Sequence, residues 1–189
     1  MKNLLLQTKL TIANITTNFK KTPILEEITK NFLSMVEELV DFYPQEAKLY
    51  CTNPAASSHH QNYIGGLIEH SFKLACWLSL RAEFAGLTAE DCAKIGFAHD
   101  LCKIKQYYFN IDGSIAVQQQ YYSRHAALSI EIAEALGFNL TPKQKACIAL
   151  HMAGAWWKEE DESLVSPQDL VNFYRAISAT QWADMKACE

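Results

Sequence analysis

Six histidine and aspartate side chains in this chain have the types and positions needed to bind metal ions. They come from five predicted helical segments, each at a position where the apolar pattern predicts burial: His70, His99, Asp100, His125, His151 and Asp184. One unpaired buried polar group costs about 1 to 3 kcal/mol, whereas a whole domain is stable by only about 5 to 15 kcal/mol. We therefore expect these side chains to satisfy one another or a ligand that they enclose.

The chemistry of the set favours divalent metal ions as that ligand. Imidazole nitrogens and carboxylate oxygens bind Mn²⁺, Fe²⁺, Co²⁺, Ni²⁺ and Zn²⁺, with Mg²⁺ as a further candidate. Six such ligands can hold one ion, or two ions about 3.5 to 4 Å apart, and leave positions open to water. Any single histidine is better explained as a satisfied core or surface residue, so the prediction rests on the whole set.

The dipeptide His99-Asp100 is the centre of this prediction. It lies near the end of an apolar segment that begins at Ala93. Adjacent side chains on a regular helix diverge, but a bend in the backbone lets both reach one cation. On its own the dipeptide is weak support, because a buried histidine bonded to a neighbouring carboxylate is common.

The composition predicts an all-α, single-domain helical bundle. A chain of 189 residues suits one core, and 49% hydrophobic and 20% charged residues are ordinary for a globular protein. Only 7 glycines and 5 prolines interrupt the chain, and most apolar runs repeat every three or four residues. We expect residues 1–50 to form helices that pack on the same core as a main domain of residues 51–189.

Local signals place several elements around the six side chains. A long helix is predicted from Gly66 to about Ala85, with His70 and Arg81 on its inward stripe. Before the segment that leads to His99, the spacing of a threonine and an aspartate predicts a helix start with a capping box.

That capping box consists of Thr88 and Asp91. A later helix is predicted to begin at Ser123, and Asp112-Gly113 predicts the turn of a small β-hairpin near residues 106–119.

The charge and the cysteines indicate which partners the protein can bind and in which compartment it lies. With a formal net charge of −4, the protein has no broad cationic surface for binding long nucleic acid, although individual lysine or arginine side chains can still bind a small anionic substrate. No apolar stretch is long enough to cross a bilayer. The cysteines form no C-x-x-C pair and are predicted to be reduced core residues of a cytoplasmic protein: Cys51, Cys76, Cys92, Cys102, Cys147 and Cys188.

Two sequence phrases resemble motifs of the HD-domain metal-dependent phosphohydrolase superfamily. The first is similar to that family's "HH…GGL.EH" opening, and the second to its "HD..K" core: His59-His60-Gln61-Asn62-Tyr63-Ile64-Gly65-Gly66-Leu67-Ile68-Glu69-His70 and His99-Asp100-Leu101-Cys102-Lys103. Asp184 follows where the family has its last aspartate, and the resemblance covers about residues 57–188. It implies an all-helical fold and hydrolysis of a phosphate ester or anhydride.

The resemblance also implies a role for each of the six side chains. It makes four of them the ligands of one metal: His70, His99, Asp100 and Asp184. His125 and His151 complete a second site, with Asp100 bridging. A hydroxide held on the metal, formed because the cation lowers the pKa of water toward about 7, would attack phosphorus in a nucleotide or a similar small substrate.

Further residues near these motifs are candidates for catalysis and substrate binding. Asp100 and Lys103 are the catalytic candidates, and Lys103 and Arg124 can meet a phosphate. His59 and His60 resemble residues that line the pocket mouth in the family.

Four aromatic side chains could stack a nucleobase, although core packing is the more common role of such residues: Tyr107, Tyr108, Trp156 and Trp157.

Three alternatives stay open at this point. A 3′–5′ exonuclease or phosphodiesterase acting on short nucleic acid would use the same metal centre. A non-catalytic signalling module would keep the fold, but such a module is expected to lose ligands. A closed structural metal site usually has four ligands, often cysteine, which six nitrogen and oxygen ligands fit poorly. The sequence gives no indication of the oligomeric state.

Overall fold

The computed structural model describes residues 1–121, 124–152 and 163–189, and the chain in these ranges is mostly helical. The helices are α1 (Lys2–Thr16), α2 (Pro23–Phe42), α3 (Pro44–Thr52), α4 (Gly66–Ser79), α5 (Ala82–Ala85), α6 (Ala89–Ala98), α7 (Lys103–Gln106), α8 (His125–Ala135), α9 (Pro142–Ala149) and α10 (Pro167–Ala187). The prediction of an all-α fold is confirmed. Ser123, Trp156 and Trp157 lie outside the described residues.

A short antiparallel hairpin interrupts the helices between α7 and α8. Strand β1 (Tyr107–Phe109) pairs with β2 (Ile115–Val117), with Tyr108 opposite Ala116, and a 3₁₀ turn (Gln119–Tyr121) follows. Gly113 has φ +82°, a left-handed conformation that glycine adopts without steric cost. The small hairpin predicted near residues 106–119 is therefore present.

One continuous apolar core joins the N-terminal helices to the rest of the chain. It extends from Ile12 in α1 to Ala187 in α10. At its centre the ring of Phe32 in α2 packs edge-on against Phe72 in α4 and Phe97 in α6, with centroids 5.1 and 5.8 Å away. The helices of residues 1–50 thus pack on the same core as the helices that carry the six polar side chains. No helix in the described ranges combines the length and apolarity needed to cross a membrane.

The long helix predicted from Gly66 to about Ala85 is broken in the structure. Helix α4 ends at Ser79, whose hydroxyl donates to the Cys76 carbonyl at 2.6 Å, and α5 begins at Ala82. Arg81, predicted to face the core, is exposed, and its guanidinium carbon lies 3.9 Å from the centroid of the Trp182 ring. That prediction was wrong because the arginine remains in water and stacks on an aromatic face at the surface.

Helix α6 is fixed at its start and along its side, and both contacts help to place His99. At the start, Thr88 and Asp91 form the predicted capping box. The Asp91 carboxylate also accepts from Gln144 Nε2 at 2.8 Å and from Lys143 Nζ at 3.2 Å, which ties α6 to α9. Burial works to raise the pKa of Asp91, but these donors outweigh it and lower the pKa below its usual value.

Along the side of α6, Gly96 allows α4 to approach closely. A Cβ atom at this position would lie 2.7 Å from the Ala75 side chain and 2.8 Å from the Ser71 carbonyl oxygen. Since both neighbours belong to α4, any larger residue at position 96 must separate the two helices. Helix α4 carries His70 and α6 leads to His99, so this contact also sets the distance between two of the six side chains.

We predict that Asp91→Ala lowers the free energy of unfolding by about 2 kcal/mol at pH 7, because three hydrogen bonds to a carboxylate are lost. Since the folded pKa is depressed, this contribution is complete above the unfolded pKa of about 3.9 and is lost as pH falls through the folded value. Urea unfolding at pH 7 and pH 3 measures both effects. Asp41→Ala, at an exposed position of α2, is the control. An equal effect of Asp91→Ala at the two pH values would contradict the assignment.

We predict that Gly96→Ala destabilises the fold by about 1 to 3 kcal/mol, because the added methyl group overpacks the contact between α4 and α6. Thermal unfolding compared with Glu90→Ala, an exposed change on the same helix, measures it. Unchanged stability in Gly96→Ala would show that the two helices are not held at this distance.

Candidate metal centre

The backbone bends where His99 and Asp100 follow α6. After Ala98 the hydrogen bonds change to a spacing of three residues, from Leu101 N to Ala98 O at 3.2 Å and from Lys103 N to Asp100 O at 3.0 Å. This tighter turn changes the angle between successive side chains. As a result His99 Nε2 lies 3.3 Å from Asp100 Oδ2, and both side chains point into the same buried space.

Four other elements bring the remaining side chains to this space. His70 lies in α4, His125 is the first residue of α8, His151 follows α9, and Asp184 lies in α10. Their potential ligand atoms, with those of the dipeptide, fall into two groups whose members lie within 4.8 Å of one another: His70, His99 and Asp184 in the first group, and Asp100, His125 and His151 in the second. The structure therefore brings together all six side chains that the sequence singled out.

Asp100 lies between the two groups and faces both. Its Oδ2 atom is 3.3 Å from His99 Nε2 and 3.6 Å from His70 Nε2. Its Oδ1 atom is 2.7 Å from His125 Nε2 and 3.8 Å from His151 Nε2. A carboxylate with one oxygen toward each group is the arrangement that lets a single residue contact two cations.

The ring orientation of two histidines shows which nitrogen carries a lone pair. His99 Nδ1 donates to the Gly96 carbonyl at 2.9 Å, and His151 Nδ1 donates to the Ile148 carbonyl at 2.7 Å. A carbonyl oxygen can only accept, so in each neutral ring Nε2 is the acceptor. Both Nε2 atoms are buried and have no hydrogen-bond partner among the described residues. Burial also lowers the pKa of His151 to about 4, which keeps this ring neutral.

The two carboxylates are ionised despite their burial. Burial works to raise the pKa of Asp100, but Lys103 and the His125 imidazole, which is 2.7 Å from Oδ1, outweigh it and hold the pKa well below its usual range. Burial likewise opposes ionisation of Asp184, and the hydrogen bond from His70 Nε2 at 3.0 Å is the largest contribution that lowers its pKa. Both aspartates are therefore available as anionic ligands at neutral pH.

Lys103, predicted to be catalytic and to bind phosphate, is buried beside Asp100. Its ammonium group forms an ion pair with Asp100 Oδ2. The Lys103 carbonyl accepts from Asn53 Nδ2 at 3.0 Å, and the same nitrogen donates to the Tyr107 carbonyl at 2.8 Å. Asn53 thus fixes the backbone on both sides of α7. The role of Asn53 was not predicted from the sequence, because no hydrophobic periodicity marks a single asparagine at the start of a loop as buried.

His125 has a sulfur neighbour where His99 and His151 have carbonyl groups. Its Nδ1 lies 3.2 Å from Cys102 Sγ. Burial works to lower the pKa of His125, but the Cys102 sulfur and the Asp100 carboxylate outweigh it and raise the pKa well above its usual value. The role of Cys102 beside a candidate ligand was also missed by the sequence, which assigned this cysteine only to the core.

Of the other residues predicted to bind substrate, one lies beside the six-residue cluster and two lie at the surface. The half-buried ring of His60 has its centroid 4.7 Å from that of His70, whereas His59 is exposed. Arg124 forms an ion pair with Glu131 at the surface, where both side chains are half exposed. Of the three, His60 is the residue that the structure brings to the six-residue cluster.

The two tyrosines predicted to stack a nucleobase differ in their exposure to solvent. Tyr107 is buried, with its hydroxyl accepting from Gln106 Nε2 at 3.4 Å, so it belongs to the packing around α7. Tyr108 is exposed on β1. Trp156 and Trp157 fall in the range that the structure does not describe.

Comparisons with protein-family models, with curated proteins and with solved structures found no match to this chain. The resemblance to the HD-domain superfamily therefore rests on the sequence motifs alone. What the structure adds is that buried histidine and aspartate side chains from five segments form groups that could hold metal ions.

Proposed function

We propose that this protein is a metal-dependent phosphohydrolase that cleaves a phosphate ester or anhydride bond in a nucleotide or a similar small phosphorylated substrate. The single observation that carries the proposal is the pair of three-ligand groups that meet at Asp100. The Nε2 atoms of His99 and His151 are buried without a hydrogen-bond partner among the described residues and lie beside two ionised carboxylates, and divalent cations would satisfy all four groups.

The donor set fits divalent ions that accept nitrogen and oxygen ligands. His70, His99 and Asp184 would hold one ion and His125 and His151 the other, with Asp100 contributing to both. Imidazole ligands favour Mn²⁺, Fe²⁺, Co²⁺, Ni²⁺ or Zn²⁺ over Mg²⁺. When bound, such ions neutralise the charge of a phosphate group and lower the pKa of water.

The charge that the site reaches with two ions bound supports a phosphate substrate. Asp100 and Asp184 contribute −2, and Lys103 and His125, whose pKa is raised, contribute +2, so the charges sum to zero. Two divalent ions would displace the His125 proton, because a histidine ligand is neutral, and change the sum from 0 to +3. A site of that charge attracts anionic phosphate esters. In this proposal Lys103 keeps Asp100 ionised and in position.

His60 is the candidate for contact with the leaving group. Its ring is half-buried beside His70, and its Nδ1 lies 2.6 Å from Gln61 Oε1, which orients the ring. With Nδ1 donating to Gln61 Oε1, this imidazole presents the Nε2 lone pair, which can accept a hydrogen bond from a hydroxyl of the leaving group. The net charge of −4 favours a small substrate over long nucleic acid.

We predict that the chelator-treated protein binds two Mn²⁺ or Co²⁺ ions per chain and that the His151→Ala variant binds one. The second group would then keep only two ligands, while the first group stays complete. Calorimetric titration with each ion gives the stoichiometry, and His59→Ala, an exposed histidine outside both groups, is the control. At a free ion concentration 100 times Kd, binding should raise the free energy of unfolding by about 2.7 kcal/mol for each ion bound.

Identical stoichiometry in the parent protein and in His151→Ala would contradict the assignment of the second group. Circular dichroism of each variant establishes that it is folded before the titration.

We predict that the Asp100→Asn variant hydrolyses substrate at least about a hundredfold more slowly than the parent protein, because one neutralised carboxylate weakens both groups. The assay uses p-nitrophenyl phosphate, bis-p-nitrophenyl phosphate and nucleoside mono- and triphosphates, each with Mn²⁺, Co²⁺, Ni²⁺, Fe²⁺, Zn²⁺ or Mg²⁺. Asp41→Asn, on the exposed face of α2, is the matched control.

Turnover of the phosphodiester but not of the monoester would favour the phosphodiesterase alternative. Wild-type rates in Asp100→Asn, or no turnover of any substrate with any of the ions, would contradict the proposed function.

A further inference from the structure

A third group of potential ligands lies beside the first group and contains a thiol. One ligand atom each from His60, His70 and Cys188 lies within 4.8 Å of the other two. His60 is half-buried and Cys188 is exposed, so the group is open to solvent on one side. Sequence reasoning assigned Cys188 to the core with the other cysteines, and the structure corrects this: the other five are buried and Cys188 is not.

The hydrogen bonds around His60 leave one of its nitrogens free to bind a cation. Gln61 Nε2 donates to the Ala187 carbonyl at 2.7 Å, so the amide oxygen Oε1 faces His60 Nδ1 at 2.6 Å. Because this oxygen can only accept, Nδ1 must be the donor, and Nε2 carries the lone pair. The same glutamine links the loop that carries His60 to the residue preceding Cys188, which holds the two ligands near each other.

His70 contributes a second, independent observation. Its side chain is 1% exposed, its Nε2 contacts Asp184, and its Nδ1 has no hydrogen-bond partner among the described residues. An unpartnered nitrogen in a buried ring costs free energy unless a donor or a cation satisfies it. His70 is therefore a buried ring with one unsatisfied nitrogen, and one of its two ring nitrogens lies within 4.8 Å of the ligand atoms of His60 and Cys188.

We propose that His60, His70 and Cys188 form an alternative site, sharing His70 with the first group, for a thiophilic divalent cation of the Zn²⁺ class. Two imidazole nitrogens and one thiolate are ligands that Zn²⁺ prefers, whereas Mg²⁺ and Mn²⁺ favour oxygen. Three protein ligands leave the fourth tetrahedral position open to water. The thiol now donates to the Asp184 carbonyl at 3.3 Å, and binding replaces its proton with the cation.

The site differs from the six-residue cluster in ligand chemistry, because neither of the other two groups includes a sulfur atom. It shares His70 with the first group, and a neutral imidazole has one lone pair, so His70 binds an ion in one of the two groups at a time and the total stays at two ions per chain. The proposal does not depend on hydrolysis, since it concerns ion binding alone.

Co²⁺ is the probe that tests this site, because a cobalt ion bound by a thiolate has a strong near-ultraviolet charge-transfer absorption that nitrogen and oxygen ligands do not produce. We expect Co²⁺ added to the chelator-treated full chain to give this absorption, and Zn²⁺ to displace it. Cys188→Ala should abolish it, and His60→Ala should weaken Co²⁺ binding at this site by at least about tenfold. Because Cys188 is exposed, its replacement should leave the fold intact.

Cys102→Ala is the matched control, since Cys102 Sγ is the thiol beside His125 in the second group. It should keep the absorption. Absence of the band in the parent protein, or its persistence in Cys188→Ala, would overturn the proposal. The band is measured without substrate, so a protein that shows it but hydrolyses nothing would contradict the proposed function and support this site.

Discussion

Burial of the Asp100 carboxylate is the constraint around which the rest of the structure is arranged. An isolated carboxylate in a protein interior is so costly that it would become protonated. Here Lys103 contacts Oδ2 and His125 contacts Oδ1, so the group stays ionised. The Nε2 atoms of His99 and His151 lie in the same space, and neither has a hydrogen-bond partner among the described residues. A cation-binding centre is the simplest physical solution to both requirements.

The helices around this centre act mainly as a positioning scaffold. Gly96 sets the spacing of α4 and α6, and Asp91 fastens α6 to α9. Gln181 in α10 donates to the Leu150 carbonyl at 2.8 Å, directly before His151, so α10 holds that ligand as well as Asp184. Four of the six side chains lie at a helix end or within two residues of one, where the backbone can turn a side chain inward without interrupting a helix: His99, Asp100, His125 and His151. Ligand geometry therefore depends on contacts distributed over most of the chain.

The six side chains of the cluster could be identified from the sequence, because each is a polar residue at a position where the helical pattern predicts burial. The buried face of a helix could not be identified where the apolar pattern is weak. In helix α10 the large apolar residues Leu170 and Tyr174 are exposed, and the helix instead buries small residues such as Ala176 and Ala183. Alanine differs too little from polar residues in hydrophobicity to define a face.

Contacts made by loops were equally hidden from the sequence. Asn53 and Gln61 position the backbone around the centre through hydrogen bonds to distant carbonyl groups. Such contacts depend on which segments meet in space, which helical periodicity does not encode. The exposure of Cys188 was missed for a different reason: free cysteine is a residue type that is usually buried, so the sequence predicted burial here as well.

Anomalous diffraction from crystals grown with Mn²⁺ tests whether the six side chains bind two ions. We expect two peaks about 3.5 to 4 Å apart, one among His70, His99 and Asp184 and one beside His125 and His151, with Asp100 between them. A map without peaks at these residues, or with manganese only at surface carboxylates, would contradict this expectation.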